Sequence, residues 1–291
     1  MTRRSRRAYL AAVVGAAVGS AGCVVGGDDE SASPSPTGSA SPTAAPSRLV
    51  LEAADAADAA AEAPLTVYPN ALQHWLRRAA STDETVRGHA DSGVHTPEPV
   101  VPQFETVRLA SAGGSVDGTY DLSAEGGTRY ELLVGADPAD PPAGTTVTPV
   151  ESLPERRREF ARSAISAERA TVYPETALGE WVRHELFGGY FEHDGETYRG
   201  TEVQQTDAAF FSTEAWYVLS LSPGTAEDPV VLRFPDPGAA ATDAIDAALS
   251  GIDDGTRRTT YDGGLSDAIV QFASETTYLL THDRVWGVSL E

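Results

Sequence analysis

The sequence predicts an α+β fold: an antiparallel sheet with helices on one face, built from internally repeated strand-helix-helix-strands units. Three observations predict it. The motif Thr66-Val67-Tyr68-Pro69 returns as Thr171-Val172-Tyr173-Pro174, and a weaker copy starts at Thr260-Tyr261. Each copy is followed by apolar residues at helical spacing: Leu72, Trp75 and Leu76, then Leu178, Trp181 and Val182, then Leu265, Ala268 and Ile269. Stretches of alternating apolar and polar residues come next, as half-buried strands require.

Taken in order, the first unit, residues 48–144, opens on a short strand at Leu49 to Leu51 and a helix from Ala53 to Ala63. The motif and its helix follow, and then strands at Glu105 to Ala110, Thr119 to Leu122 and Arg129 to Val134. Between them, His89, Asp91 and His95 fall in a stretch read as a solvated loop, although the same residue types could meet a metal. The second unit, residues 145–228, begins with a strand at Thr146 to Val150. A helix from Leu153 to Ile165 follows, its start marked by Ser152 and Glu155 at capping-box spacing. Strands at Tyr190 to His193, Thr197 to Gln204 and Ala215 to Leu221 follow its motif, with Asp194-Gly195 as a hairpin turn. The third and shorter unit, residues 229–291, has a strand at Val230 to Phe234 and a helix at Ala239 to Leu249. Its last strands, Thr276 to Thr281 and Arg284 to Leu290, flank His282-Asp283. Asp253-Asp254-Gly255 and Asp262-Gly263-Gly264 match no EF-hand spacing and read as turns.

Residues 1–23 read as an address. Arg3, Arg4, Arg6 and Arg7 precede an apolar run from Ala8 to Gly22, which is shorter than the roughly 20 residues a spanning helix needs. Arg6-Arg7-Ala8-Tyr9-Leu10 resembles the twin-arginine export signal. Ser20-Ala21-Gly22-Cys23 resembles a lipobox with Cys23 as the lipid attachment point, and two acyl chains would anchor the chain stably. Residues 24–47 are rich in Ser, Thr, Pro and Ala and read as a disordered tether. Cys23 is the only cysteine, so disulfides contribute nothing to the fold.

The chain carries 43 acidic and 21 basic residues, a formal charge of −22, and every basic residue is Arg. Such a surface repels itself in dilute buffer, where the screening length is about 10 Å, and much less at molar salt, where it is about 3 Å. The composition is that of halophilic adaptation. A thermal midpoint that rises between about 0.1 M and molar KCl is the expected result, and a flat or falling midpoint would overturn the reading. The charge also excludes nucleic-acid partners, because no basic footprint exists to displace counterions from phosphate.

The leader and the acidic, lysine-free coat together resemble the twin-arginine-exported lipoproteins of halophilic archaea, a group with no assigned biochemical function. The resemblance implies an extracellular protein anchored to the outer face of the cell membrane, and it brings no catalytic residue with it.

Catalytic signatures are sparse. His184-Glu185 begins like a zinc-protease helix, but Gly188 stands where the second histidine is needed. The absence of Lys excludes Walker, Schiff-base and Ser-x-x-Lys chemistry. No cofactor and no metal are expected. The densest basic cluster behind the leader, Arg156, Arg157, Arg158 and Arg162, reads as a salt-laced helix face and as a candidate docking face for an acidic partner. The sequence therefore points to a lipid-anchored binding or structural module of the envelope, with an envelope protein or glycan as partner. The alternative is an extracytoplasmic hydrolase whose site is assembled from dispersed residues such as His184 or His193 and an acid.

Overall fold

The structure, a computed structural model, describes residues 46–291 apart from 83, 112, 113, 115, 167–169 and 204–209. Arg6, Arg7 and Cys23, expected as export signal and lipid-attachment point, lie outside the described residues. From the N-terminal side the chain forms β1 (Leu49–Ala54), α1 (Ala56–Glu62), β2 (Leu65–Val67), α2 (Asn70–Ser81) and β3 (Val86–Asp91). A 3-10 turn (Val101–Gln103), β4 (Thr106–Ser111) and β5 (Gly118–Thr128) follow. The middle of the chain gives β6 (Leu132–Pro138), β7 (Val147–Pro149), α3 (Glu155–Ile165) and β8 (Ala170–Val172). It continues through α4 (Ala177–Trp181), a π-helical turn (Val182–Leu186), β9 (Tyr190–His193) and β10 (Glu196–Glu202). The last part gives β11 (Glu214–Pro223), β12 (Val230–Phe234), α5 (Gly238–Leu249), β13 (Arg258–Tyr261), α6 (Asp267–Glu275), β14 (Tyr278–Leu280) and β15 (Val285–Leu290).

The fold is α+β, with two mixed sheets. Ten strands run in the order β13-β1-β15-β14-β2-β12-β4-β5-β11-β3, and five in the order β7-β9-β10-β6-β8. The expected purely antiparallel sheet is corrected: β14, β2, β12 and β4 are parallel neighbours, as are β7 and β9. The physical reason is visible in β2, whose Leu65, Thr66 and Val67 are all buried. A strand covered on both faces shows no alternation, which is the signature of a parallel interior.

Strand order has an internal symmetry. Outward from the β2–β12 junction the large sheet reads β2-β14-β15-β1-β13 on one side and β12-β4-β5-β11-β3 on the other. Each side is one parallel pairing followed by three antiparallel ones. The small sheet, read from β7, has the same succession of directions. In the small sheet all five strands are consecutive in the chain, whereas in the large sheet β1 and β2 join β13 to β15, and β11 and β12 join β3 to β5. This order makes β2 the counterpart of β7 and β12, each of which leads toward a helix: α2, α3 and α5 in turn. Such a helix begins the long return that lets parallel strands share a sheet. The two Tyr-Pro motifs follow β2 and β8, which hold different places: β2 is central, and β8 is an edge.

Helices cover both faces of the large sheet, which corrects the expected single helical face. Neighbouring residues on β14 and β15 divide between two cores: Leu280 and Val285 join Leu72 and Leu76 of α2, while Leu279 and Trp286 join Ile245 of α5 and Ile269 and Phe272 of α6. Side chains alternate across a strand, so these two cores lie on opposite faces. A third core in the small sheet gathers Phe160, Trp181, Leu186 and Phe191. The Ser152 capping box does not form. Ser152 lies in a 3-10 turn and donates its hydroxyl to the Pro149 carbonyl at 2.7 Å, and Pro154 is the residue that precedes α3. Proline there removes an N–H that the first turn could not have satisfied.

Candidate functional site

A charged seam lies where the small sheet meets the β3–β11–β5 end of the large one. From the small-sheet side it is built by the segment around α4. Thr176 caps α4 by accepting from the Gly179 N–H at 2.9 Å, which fixes the preceding Tyr173-Pro174-Glu175 stretch. The helix then widens into the π-helical turn, closed by the Phe187 N–H donating to the Val182 carbonyl at 2.9 Å. Such turns re-aim side chains and recur at functional sites. Here the consecutive residues Arg183 and His184 reach the same carboxylate, Glu125 of β5.

Glu125 takes a hydrogen bond from Arg183 on Oε2, and His184 Nε2 lies 2.8 Å from Oε1. Burial pushes its carboxyl up, but the Arg183 hydrogen bond and charge, with a further contribution from His184, outweigh that and hold it below the usual range. Arg183 also lies over the Trp216 ring, 4.4 Å from its centroid. Trp216 finds room because β5 places Gly127 opposite it, where a Cβ would stand 3.2 Å from the indole nitrogen.

Alongside, Arg129 donates from Nε to Glu175 Oε1 at 2.9 Å and from Nη1 to Glu214 Oε2 at 2.7 Å, and its guanidinium lies 4.0 Å over the Tyr173 ring. His89 Nδ1 stands 3.3 Å from the same Glu175 oxygen. Glu175 is buried, and its Oε2 has no hydrogen-bond partner among the described residues. Arg87 of β3 closes the seam on Glu180 of α4. His184 remains half exposed, so the His184–Glu125 pair is open to solvent. The other members fasten one layer to the next.

The expected site residues fall in two places. Arg157 turns toward Glu185 at 3.4 Å and over the Trp181 ring at 5.4 Å. Arg162 places Nη2 2.7 Å from both oxygens of Glu151, and His193 Nδ1 approaches the same carboxylate at 3.6 Å. Arg158 also acts on Glu151 by its charge, while Arg156 is exposed. The Arg162 hydrogen bond comes first among the causes that hold the Glu151 carboxyl below its ordinary value. His184 and His193 therefore serve different carboxylates. His89 and Asp91 lie on β3 and His95 in the loop after it, so the loop expected for all three is corrected. No group of three or more His, Cys, Asp or Glu among the described residues could hold a metal ion.

No family model, curated protein or solved structure matches this chain. Its chemistry rests on its own residues. Sequence reasoning missed Glu125, Arg129, Glu175 and Glu214, because they meet only through the pairing of β5 with β11 and the packing of the turn before α4 against them. Only the Tyr173-Pro174-Glu175 stretch, inside a recurring motif, offered a signal.

Proposed function

We propose that this chain is a non-catalytic binding or structural module of the cell envelope, held at the outer face of the membrane by a lipid on Cys23 and tethered by residues 24–47. The observation that carries this reading is the succession of one parallel and three antiparallel pairings, met on either side of the β2–β12 junction of the large sheet and again in the small one, together with the charged side chains that fasten the small sheet to one end of the large one. Recurring arrangements extend a surface, as stacked units do in repeat proteins. On this reading the chain consists of three copies, in strand terms 49–128, 132–202 and 214–290, of which the first and third have exchanged their two leading strands. That phase differs from the one the Tyr-Pro motif suggests.

The α3 face supplies a docking surface for an acidic envelope protein or glycan. Arg156 points to solvent and Arg158 acts on Glu151 by its charge alone, while Arg162 is bound to Glu151 with Glu159 and Asp194 also acting on it, so Arg156 and Arg158 are the cations this face offers. Two measurements test the proposal. Cys23→Ser is expected to move the protein from the membrane fraction into the medium, and retention at the membrane would remove the anchor. Pull-down from envelope extracts at molar salt is expected to recover a partner that Arg156→Glu/Arg158→Glu fails to recover; equal recovery would remove this docking face.

A further inference from the structure

The large apolar side chains that stand exposed among the described residues are Tyr173, Val203, Phe210 and Phe211, at 39%, 37%, 67% and 69% exposure. All four belong to segments held against one connection, the stretch from Arg129 to Leu133 that carries the chain from β5 into β6. Tyr173 lies under the Arg129 guanidinium, and the Val203 N–H donates to the Leu133 carbonyl at 2.8 Å. Ser212, next to Phe211, donates its hydroxyl to the Arg129 carbonyl. Phe210 and Phe211 stand edge to face, 5.4 Å between ring centroids. Tyr130, in the same connection, points its hydroxyl at Glu202 at 3.0 Å, an aromatic body with a polar tip.

We propose that this aromatic patch is a membrane-contact surface, with Phe210 and Phe211 inserted at the level of the lipid headgroups. The proposal rests on the lipid-anchored reading above. Two arguments select lipid over another protein. The exposed apolar area of the four side chains is on the order of 400 Å², about half of the ~800 Å² per partner that a stable protein interface buries. Two phenylalanines need no matching surface to enter an interfacial layer, where aromatic side chains collect. The second argument is reach. Even fully extended, residues 24–47 reach no more than roughly 80–86 Å. On the lipid-anchored reading the domain therefore stays within that distance of the bilayer, and a patch too weak to bind from free solution becomes effective through local concentration. Glu202 and the partly exposed Glu214 flank the patch, so contact with an anionic surface requires the screening that molar salt provides.

The test uses the processed chain from residue 23 onward carrying Cys23→Ser, so that no lipid contributes, with phosphatidylcholine vesicles in about 3 M KCl. Co-sedimentation is expected, and Phe210→Ser/Phe211→Ser should lower the partition coefficient about tenfold or more, given the apolar area withdrawn. Matching circular dichroism and thermal midpoints establish that the variant is folded. No partition of the parent chain at saturating lipid, or equal partition of parent and variant, overturns the proposal. Self-association of the parent without vesicles, abolished in the variant, overturns it in favour of a second copy as the occupant. The anchor is judged separately, by the location of Cys23→Ser in cells, so the two readings can fail independently.

Discussion

Arg129→Ala is expected to destabilise the protein by about 3–5 kcal/mol, because it leaves a buried carboxylate without its cation. Glu175 is only 8% exposed at its side chain and Arg129 only 14%, so water cannot replace the lost partner. Glu175 Oε1 would keep only the His89 imidazole at 3.3 Å, which compensates charge when protonated and not otherwise, and Oε2 has no partner to begin with. Arg129 also holds Glu214 and covers Tyr173, so the truncation exposes a ring and releases one end of β11. The double replacement Arg129→Met/Glu175→Leu removes both charges together and should recover most of the loss, since an apolar pair of similar volume often matches a buried ion pair. Urea unfolding at constant molar KCl measures both. A single-variant loss below about 1 kcal/mol, the range of solvent-exposed pairs, would show that the seam is wetter than its burial indicates.

The elements that sequence periodicity locates are those whose burial is one-sided. The helix expected at Ala239 to Leu249 is observed as α5, Gly238–Leu249, with Ala241, Ala244, Ile245 and Ala248 on its buried face. The Asp194-Gly195 turn is found with positive φ at both residues, 52° and 79°, as a tight hairpin requires. The strand at Val230 to Phe234 is observed with those bounds. What escaped was set by contacts from elsewhere in the chain. Val86-Arg87-Gly88-His89-Ala90-Asp91 has little strand character by composition. It is nevertheless β3, because Gly88 leaves room for Trp75: a Cβ there would stand 2.4 Å from the Trp75 ring. β5 continues through Gly126 and Gly127, residues that suggest a strand end, because Trp216 packs against the bare backbone of Gly127. The seam shares that cause. Its acids and arginines look like surface charge until the pairing of distant strands and the packing of the α4 segment on them bring them face to face.

A second large effect is expected at His282, in the turn between β14 and β15. Its ring is buried, with Nδ1 2.9 Å from the Tyr217 hydroxyl, and its Nε2 has no partner among the described residues. The Trp75 and Tyr217 rings pack against it, with centroids 6.3 and 5.5 Å away. Burial pushes its pKa down from 6.5 to about 4, against the opposing pull of Asp283 and Asp91. In the unfolded chain the imidazole titrates near its ordinary value, so between those two pH values the unfolded state binds a proton that the folded state refuses. The stabilisation is complete above about pH 6.5 and is lost as pH falls through the folded-state value. The interval corresponds to about 3 kcal/mol. His282→Gln keeps a hydrogen-bonding side chain beside Tyr217 and cannot titrate. Relative to the parent, the variant should gain about 3 kcal/mol of stability between pH 7 and pH 4, measured by urea unfolding at fixed molar KCl. Carboxylates that titrate over the same range act on both proteins and cancel in the difference. Parallel pH profiles would mean that His282 takes its proton inside the folded protein, and that the core around Trp75 and Tyr217 admits a charge.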